Sequence, residues 1–492
     1  MTATRKLLAI DLGAESGRGI VGHFDGRQLV LDVVHRFPNG PVKTLDSWHW
    51  DLLRLHGEIL TALRVAGGKF GGLDAVGVDT WGVDFALLGR GGTLLGNPRH
   101  YRDPHTTGIM EAAFQKVPRE HIYRRTGLQF MQINSLFQLL AMQRDRSPLL
   151  DVAENLLFMP DLFHYFLTGL KVNEFTDAST SQMLDPMTRT WAYDLIGSFA
   201  LPAKILGTIV EPGTVLGPIR TSVASETGLV PMPVVVPATH DTGSAVVAVP
   251  AQDNLWAFIS SGTWSLLGTE LPQPLVTDET LAANFTNEGG AAGTTRLLKN
   301  IMGLWLVQEC RRAWEKAGKT YSYDELTMLA EQAPAFATLI DPDDGAFFAP
   351  TSMPQAIADF ARRHAQPAPV DPGATVRSCL ESLALKYRYV LEKLESLVGK
   401  QFTAIHVVGG GCQNRLLCQW TSDACNRPVV AGPVEATALG NVLVQMMGLK
   451  LIGTLADART IVRQSVDVTT YEPREPHRWE QAYGRFLNLI PT

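Results

Sequence analysis

Hydrophobic positions along the chain cluster in short runs that stop abruptly at a carboxylate, a glycine or a small hydroxyl residue. Residues 7–10, Leu-Leu-Ala-Ile, form one such run, and it stops at Asp11. An unbroken apolar run of this length predicts a buried strand. Residues 19–24 and 29–37 follow at hairpin-like spacing, with Asp25-Gly26 as the turn signal between them. Residues 75–78 form another apolar run, ending at Asp79. The pattern predicts a sheet that opens with antiparallel strands and then alternates with helices.

The same order restarts in the second half. Residues 234–237 lead into Thr239-His240-Asp241. Residues 256–260 run into Gly262-Thr263, and residues 265–268 continue beyond, so this dipeptide sits at a hairpin-like turn much as residues 13–17 do. The longest clean helix is predicted over 376–398, where Leu380, Leu383, Tyr387, Leu391, Leu394 and Val398 recur every three or four residues and Gly399 follows as the cap. The strand predicted at 405–408 ends in Gly409-Gly410-Gly411. Two halves that each open with a glycine turn imply a duplicated α/β architecture. The boundary is expected near 249–254, giving one domain over 1–249 and a second over 250–492. The proline-rich stretch 366–373 reads as a surface loop.

Composition narrows the function classes. At 492 residues the chain can hold two or more full cores, and 45% hydrophobic with 19% charged residues is ordinary for a soluble globular protein. A formal net charge of -6 supplies no global basic field for nucleic acid or an anionic membrane. Arg5 and Lys6 precede only four apolar residues, too few for a secretory leader, and no stretch reads as a membrane span. A cytoplasmic location is expected. The five cysteines, an odd and sparse set without C-x-x-C pairing, read as free thiols in a reducing compartment. Cys412, beside the triple glycine, is expected to be open to thiol reagents.

Candidate chemistry gathers at the run ends. Gly13 and Gly17 flank a turn in which Ser16 and Arg18 can face a phosphate, and strand-end loops with free backbone N–H groups suit such anions. No Walker P-loop and no protein-kinase signature is present, and the triple glycine fits no G-x-G-x-x-G frame. Asp241 is the sharpest single residue: a carboxylate there can take a proton from an attacking hydroxyl. Its plainer role is to cap a helix beginning at Thr242 or Gly243. Asp11 and Asp79 suit Mg2+ held largely through water, or plain helix capping or turn formation. Trp81, Trp264 and Trp305 can wall a sugar site, although tryptophan is more often core.

Together, Asp79-Thr-Trp-Gly-Val-Asp-Phe85, Ser260-Ser-Gly-Thr-Trp-Ser265, Asn287-Glu-Gly-Gly290, Lys299-Asn-Ile-Met-Gly-Leu-Trp305, Gly409-Gly-Gly-Cys-Gln-Asn414 and Gly432-Pro-Val-Glu-Ala-Thr437 resemble the FGGY carbohydrate kinases, within the sugar kinase, heat-shock ATPase and actin superfamily. The resemblance runs from Leu8 to about Asp467. It implies two ribonuclease-H-like α/β domains with a cleft between them. It also implies transfer of the γ-phosphoryl group of ATP, with Mg2+, to the 1-hydroxyl of L-rhamnulose in rhamnose catabolism. L-Fuculose, L-ribulose or a sugar-independent, shape-changing ATPase stand as alternatives.

Residue by residue, the resemblance implies Asp241 as general base. It implies Gly82, His240, Asp241, Thr242 and Asn300 as sugar contacts. Ala14, Glu15, Ser16, Gly17, Arg18, Thr263, Gln308 and Gly410 are implied as ATP contacts, and Asp11 as the metal-associated carboxylate. Glu15 departs from the family, which often has serine or another small residue there. A carboxylate at that point would repel phosphate unless it turns away or pairs with Arg18.

Overall fold

The computed structural model describes residues 4–490; residues 1–3 and 491–492, at the outer ends of the two expected halves, lie outside the described residues. The chain forms two compact units, each assembled from three segments.

The first unit takes Met1–Pro250, Glu270–Leu297 and Ala436–Val466. Its main sheet runs Val215–Pro218, Pro233–Val235, Ala75–Thr80, Arg5–Leu12, Ser16–Phe24, Leu29–Pro38. The last three strands form the antiparallel meander expected from the run spacing, and Ala75–Thr80 joins Arg5–Leu12 in parallel. Leu7, Leu8, Ala9 and Ile10 are fully buried, because this central strand is covered on both faces. Helix Leu52–Phe70 buries Leu55, Ile59 and Leu63, and Asp51 caps its start. Helix Ala436–Gly448, far off in sequence, packs against Arg5–Leu12, Ala75–Thr80 and the short helix Asp241–Val247.

The second unit takes Ala251–Thr269, Leu298–Glu435 and Asp467–Thr492. Six consecutive strands of its sheet run Thr295–Met302, Trp264–Leu271, Trp256–Ser261, Ala404–Val408, Val429–Ala431, Thr469–Tyr471. Trp256–Ser261 and Trp264–Leu271 are an antiparallel hairpin, and Ala404–Val408 joins Trp256–Ser261 in parallel. This repeats the first unit's plan of hairpin followed by parallel neighbour, the duplication inferred from element order. The predicted long helix is Pro372–Val398, starting four residues earlier than periodicity alone suggests because Asp371 caps it and Pro372 stands in its first turn. Tyr387 anchors it to the hairpin, its hydroxyl 2.7 Å from that of Ser265. Among the described residues, no helix is long and apolar enough to cross a membrane.

Candidate functional site

In the first unit three neighbouring strand ends bring the candidate carboxylates into line. Asp11 and Asp79 are direct partners across the parallel pair of strands. One residue further on, Thr80 bridges to His240, and its N–H donates to the Thr239 carbonyl at 2.9 Å. The hairpin turn after Asp11 is closed by Gly13 N–H donating to the Ser16 carbonyl at 3.0 Å. Asn39 braces it from outside: its N–H donates to the Glu15 carbonyl at 2.9 Å and its side chain to the Gly13 carbonyl at 2.8 Å. Ala14, Glu15, Ser16 and Arg18 are half-buried and Gly17 is buried. Arg18 Nε lies 3.1 Å from Asp11 Oδ2, so the cation expected to face phosphate also faces the candidate metal carboxylate.

Electrostatics single out Asp79. Burial first, then the carboxylate of Asp11, push its carboxyl well above the usual range, and Asp241 adds to the push. Asn441 Nδ2 donates to its Oδ2 at 2.5 Å, while Oδ1 is buried without a hydrogen-bond partner. Like charges gathered around a buried carboxyl fit a neighbouring cation. Among the described residues no group of three or more His, Cys, Asp or Glu is arranged to hold a metal alone. Asp11, backed by Asp79, could hold a divalent ion through water, and that ion would supply charge neutralisation.

Asp241 is the first residue of helix Asp241–Val247, and His240 occupies the cap position without a side-chain cap bond. The expected helix start at Thr242 or Gly243 is thus one or two residues late, and Asp241 is not the cap. Its Oδ1 accepts from Thr242 N–H at 2.6 Å and its side chain is 32% exposed, so the carboxylate can meet a substrate. Gly82 faces Thr180, where an added Cβ would sit 3.0 Å from that side chain. Trp81 belongs to the core instead: it is 6% exposed, its ring 3.8 Å from that of Trp50, and both indoles donate to Asp84 Oδ2.

The second unit holds its own cluster. The carbonyls of Gly262 and Thr263 accept N–H bonds from Leu304 at 3.0 Å, Trp305 at 3.1 Å and Gly303 at 3.2 Å. The hairpin turn therefore rests on the start of helix Trp305–Lys316, which carries Gln308 one turn in. The Gly410–Gln413 turn closes over the same strand end: a Cβ on Gly411 would stand 2.0 Å from Ser261 Oγ. The turns carrying Thr263 and Gly410 and the start of the helix carrying Gln308 thus meet at one strand end, and Asn300 lies on strand Thr295–Met302, which feeds the same helix.

Residues 7–248 match the N-terminal domain of the FGGY family of carbohydrate kinases, and residues 257–449 match its C-terminal domain. The chain belongs to this family. It is 44% identical over 486 residues to a rhamnulokinase of Bacteroides thetaiotaomicron, covering 99% of each chain. It is 41% identical over 489 residues to a rhamnulokinase of Pectobacterium atrosepticum, covering 99% of this chain and 97% of the relative. In fold it is similar to a ligand-bound xylulose kinase from Lactobacillus acidophilus, with a TM-score of 0.82 at 17% identity, over 99% of this chain and 97% of that one. The two-domain, ribonuclease-H-like α/β architecture expected from the motifs is the one these kinases share. Membership in the family means ATP-dependent phosphotransfer to a carbohydrate, a chemistry that typically needs a divalent metal.

Several residues around this kinase site escape a reading by motif. The buried carboxylate of Glu174 accepts from Thr239 N–H at 3.0 Å, Thr239 Oγ1 at 2.5 Å and Thr176 Oγ1 at 2.6 Å. Thr176 Oγ1 in turn accepts from His240 N–H at 3.1 Å, so Glu174 ties down the segment before Asp241. A lone glutamate flanked by hydroxyl residues carries no sequence signal for this. Glu288 and Arg296 meet His240 and are equally silent, although Glu288 sits inside one of the family-like runs. Cys412 corrects the expectation of a reactive thiol. It is 6% exposed, and burial pushes its thiol up to about 11, so little thiolate forms at neutral pH.

Proposed function

We propose that this chain phosphorylates L-rhamnulose at its 1-hydroxyl, using ATP and Mg2+ and releasing ADP, as a step of rhamnose catabolism in the cytoplasm. The observation that carries the reading is the full-length similarity to two rhamnulokinases at 41% and 44% identity. The arrangement of Asp241, partly exposed beside His240 and Thr242, supports it chemically.

Asp241 accepts the proton of the sugar hydroxyl as that oxygen attacks the γ-phosphorus. The new O–P bond forms while the bond to the β,γ-bridging oxygen breaks, and ADP carries away its electron pair. Gly82, His240, Thr242 and Asn300 orient the sugar. The turn formed by Ala14, Glu15, Ser16, Gly17 and Arg18, with Thr263, Gln308 and Gly410, holds ATP. In this division residues 1–249 serve the phosphates and, with Asn300, the sugar, and the rest of residues 250–492 serve the nucleotide. Bound Mg2+, held through water at Asp11, would neutralise phosphate charge. Positioning and charge neutralisation supply most of phosphoryl-transfer catalysis, and a placed base adds about 10²–10⁴ in rate.

Asp241→Asn tests the base. The variant is expected to fold and to bind ATP as the wild type does, while turnover on L-rhamnulose falls by about 10²–10⁴. Near-normal turnover would remove Asp241 from the role.

A further inference from the structure

His240 is buried beside Asp241, and its two ring nitrogens face different groups. Nδ1 lies 3.1 Å from Arg296 Nη2 in hydrogen-bond geometry. Nε2 lies 3.5 Å from Asp241 Oδ1. Arg296 is fully buried, and its Nε donates to the Gly289 carbonyl at 2.8 Å. Glu288 Oε2 sits 3.3 Å from Arg296 Nη2 and neutralises it.

A guanidinium has donors only. Arg296 therefore requires a lone pair on Nδ1, which assigns the ring proton to Nε2. Glu288 pulls the other way, because its Oε2 also lies 3.3 Å from Nδ1 and would accept a proton there. Geometry favours the arginine: its bond is shorter and directed, whereas the glutamate meets the ring only at ion-pair distance.

We propose that Arg296 is a positioning residue for phosphoryl transfer, acting through His240 Nδ1 to fix an Nε2–H donor beside the Asp241 carboxylate. This rests on Asp241 being the base. With Nε2–H in place, the ring turns a positive edge toward Oδ1 across 3.5 Å, an electrostatic rather than a hydrogen-bonded contact, and leaves the remaining oxygen to take the sugar proton. A bare Nε2 would instead repel Oδ1 and compete for that proton. Arg296 itself touches no substrate; its contribution passes entirely through the imidazole.

The test combines nitrogen NMR with kinetics on the full chain. In protein labelled with 15N-histidine, the His240 signals are those lost in His240→Asn. The wild type is expected to show the Nε2–H tautomer. Arg296→Gln, which keeps a polar group but can donate or accept, is expected to mix the tautomers. It should lower kcat at least tenfold with KM for ATP within about twofold, and Arg296→Lys should recover part of the loss. In the His240→Asn background, Arg296→Gln should cost nothing further. A wild-type proton on Nδ1 would overturn the proposal, as would a full Arg296→Gln loss in the His240→Asn background. Should Asp241→Asn stay active while the tautomer result holds, the base assignment fails and the arginine–imidazole geometry stands.

Discussion

The backbone of Gly440 passes so close to Ser244 that a first side-chain carbon on Gly440 would stand 1.8 Å from the Ser244 carbonyl oxygen. Gly440 lies on helix Ala436–Gly448, and Ser244 on the helix that begins at Asp241. Only glycine allows this approach. Next to it, Asn441 reaches Asp79, and Gln445 donates to the Leu8 carbonyl at 2.9 Å. Helix Ala436–Gly448 thereby braces both Asp79 and the helix that begins at Asp241. Gly440→Ala is expected to destabilise the fold by about 1–3 kcal/mol through overpacking and to lower kcat by moving Asp241. A thermal melt and an initial-rate assay check this; an unchanged Tm would mean that the helices can part without cost.

Glu174 makes a second prediction. Its carboxylate satisfies donors from Thr176, Asp177 and Thr239 at once. Glu174→Gln halves the accepting capacity and strands buried donors, an effect of about 1–3 kcal/mol. Urea denaturation should report that loss, and kcat should fall more than KM for ATP rises, because the damaged segment leads into His240 and Asp241. Equal stability of variant and wild type would argue against the clamp.

Asp84 gives the pH dependence. Burial pushes its carboxyl up to about 7, against hydrogen bonds from Trp50, Gln138, Trp81 and Tyr101 that pull it down. The folded value lies above the unfolded one, so the fold binds the proton more tightly. The stabilisation is complete below about pH 4 and is lost as pH rises through about 7. The loss amounts to about 4 kcal/mol. Asp84→Asn cannot ionise, so its stability measured from pH 4 to 8 should lack this decline relative to the wild type. Since both indoles donate to Asp84, the wild type should also show a tryptophan-emission transition near pH 7 that the variant lacks. Parallel stability curves would place the ionisation elsewhere.

The thiols give a fourth. Cys310, Cys379, Cys412, Cys418 and Cys425 are all free and buried. Burial pushes Cys412 up to about 11 and Cys418 up to about 12. A colourimetric thiol reagent should titrate almost none of them in the native protein and all five after denaturation. Rapid native labelling of Cys412 would contradict its burial.

Much of this fold is legible in the chain because its central strands are short apolar runs with sharp ends. The strands ending near Asp11, Asp79 and Gly409 could be read in that way. The pairing of Asp11 with Asp79 follows once both strands are placed side by side. Helix Pro372–Val398 was legible from its long apolar stripe. The partners that hold the site were not legible, since Glu174, Arg296 and Asn441 reach it from segments remote in sequence, and no local pattern encodes which distant carboxylate or guanidinium will meet a given loop. Trp81 was ambiguous for a similar reason. A tryptophan beside a glycine suits a sugar wall as well as the commoner core until Trp50 is seen packed against it.

The most direct measurement is ADP release with Mg-ATP across L-rhamnulose, L-fuculose, L-ribulose and no sugar, with the phosphorylated position read by phosphorus NMR. Turnover should be fastest on L-rhamnulose, with phosphate on the 1-hydroxyl and little ADP released without sugar. ADP release that ignores every ketose, or clear preference for another ketose, would contradict the proposed reaction.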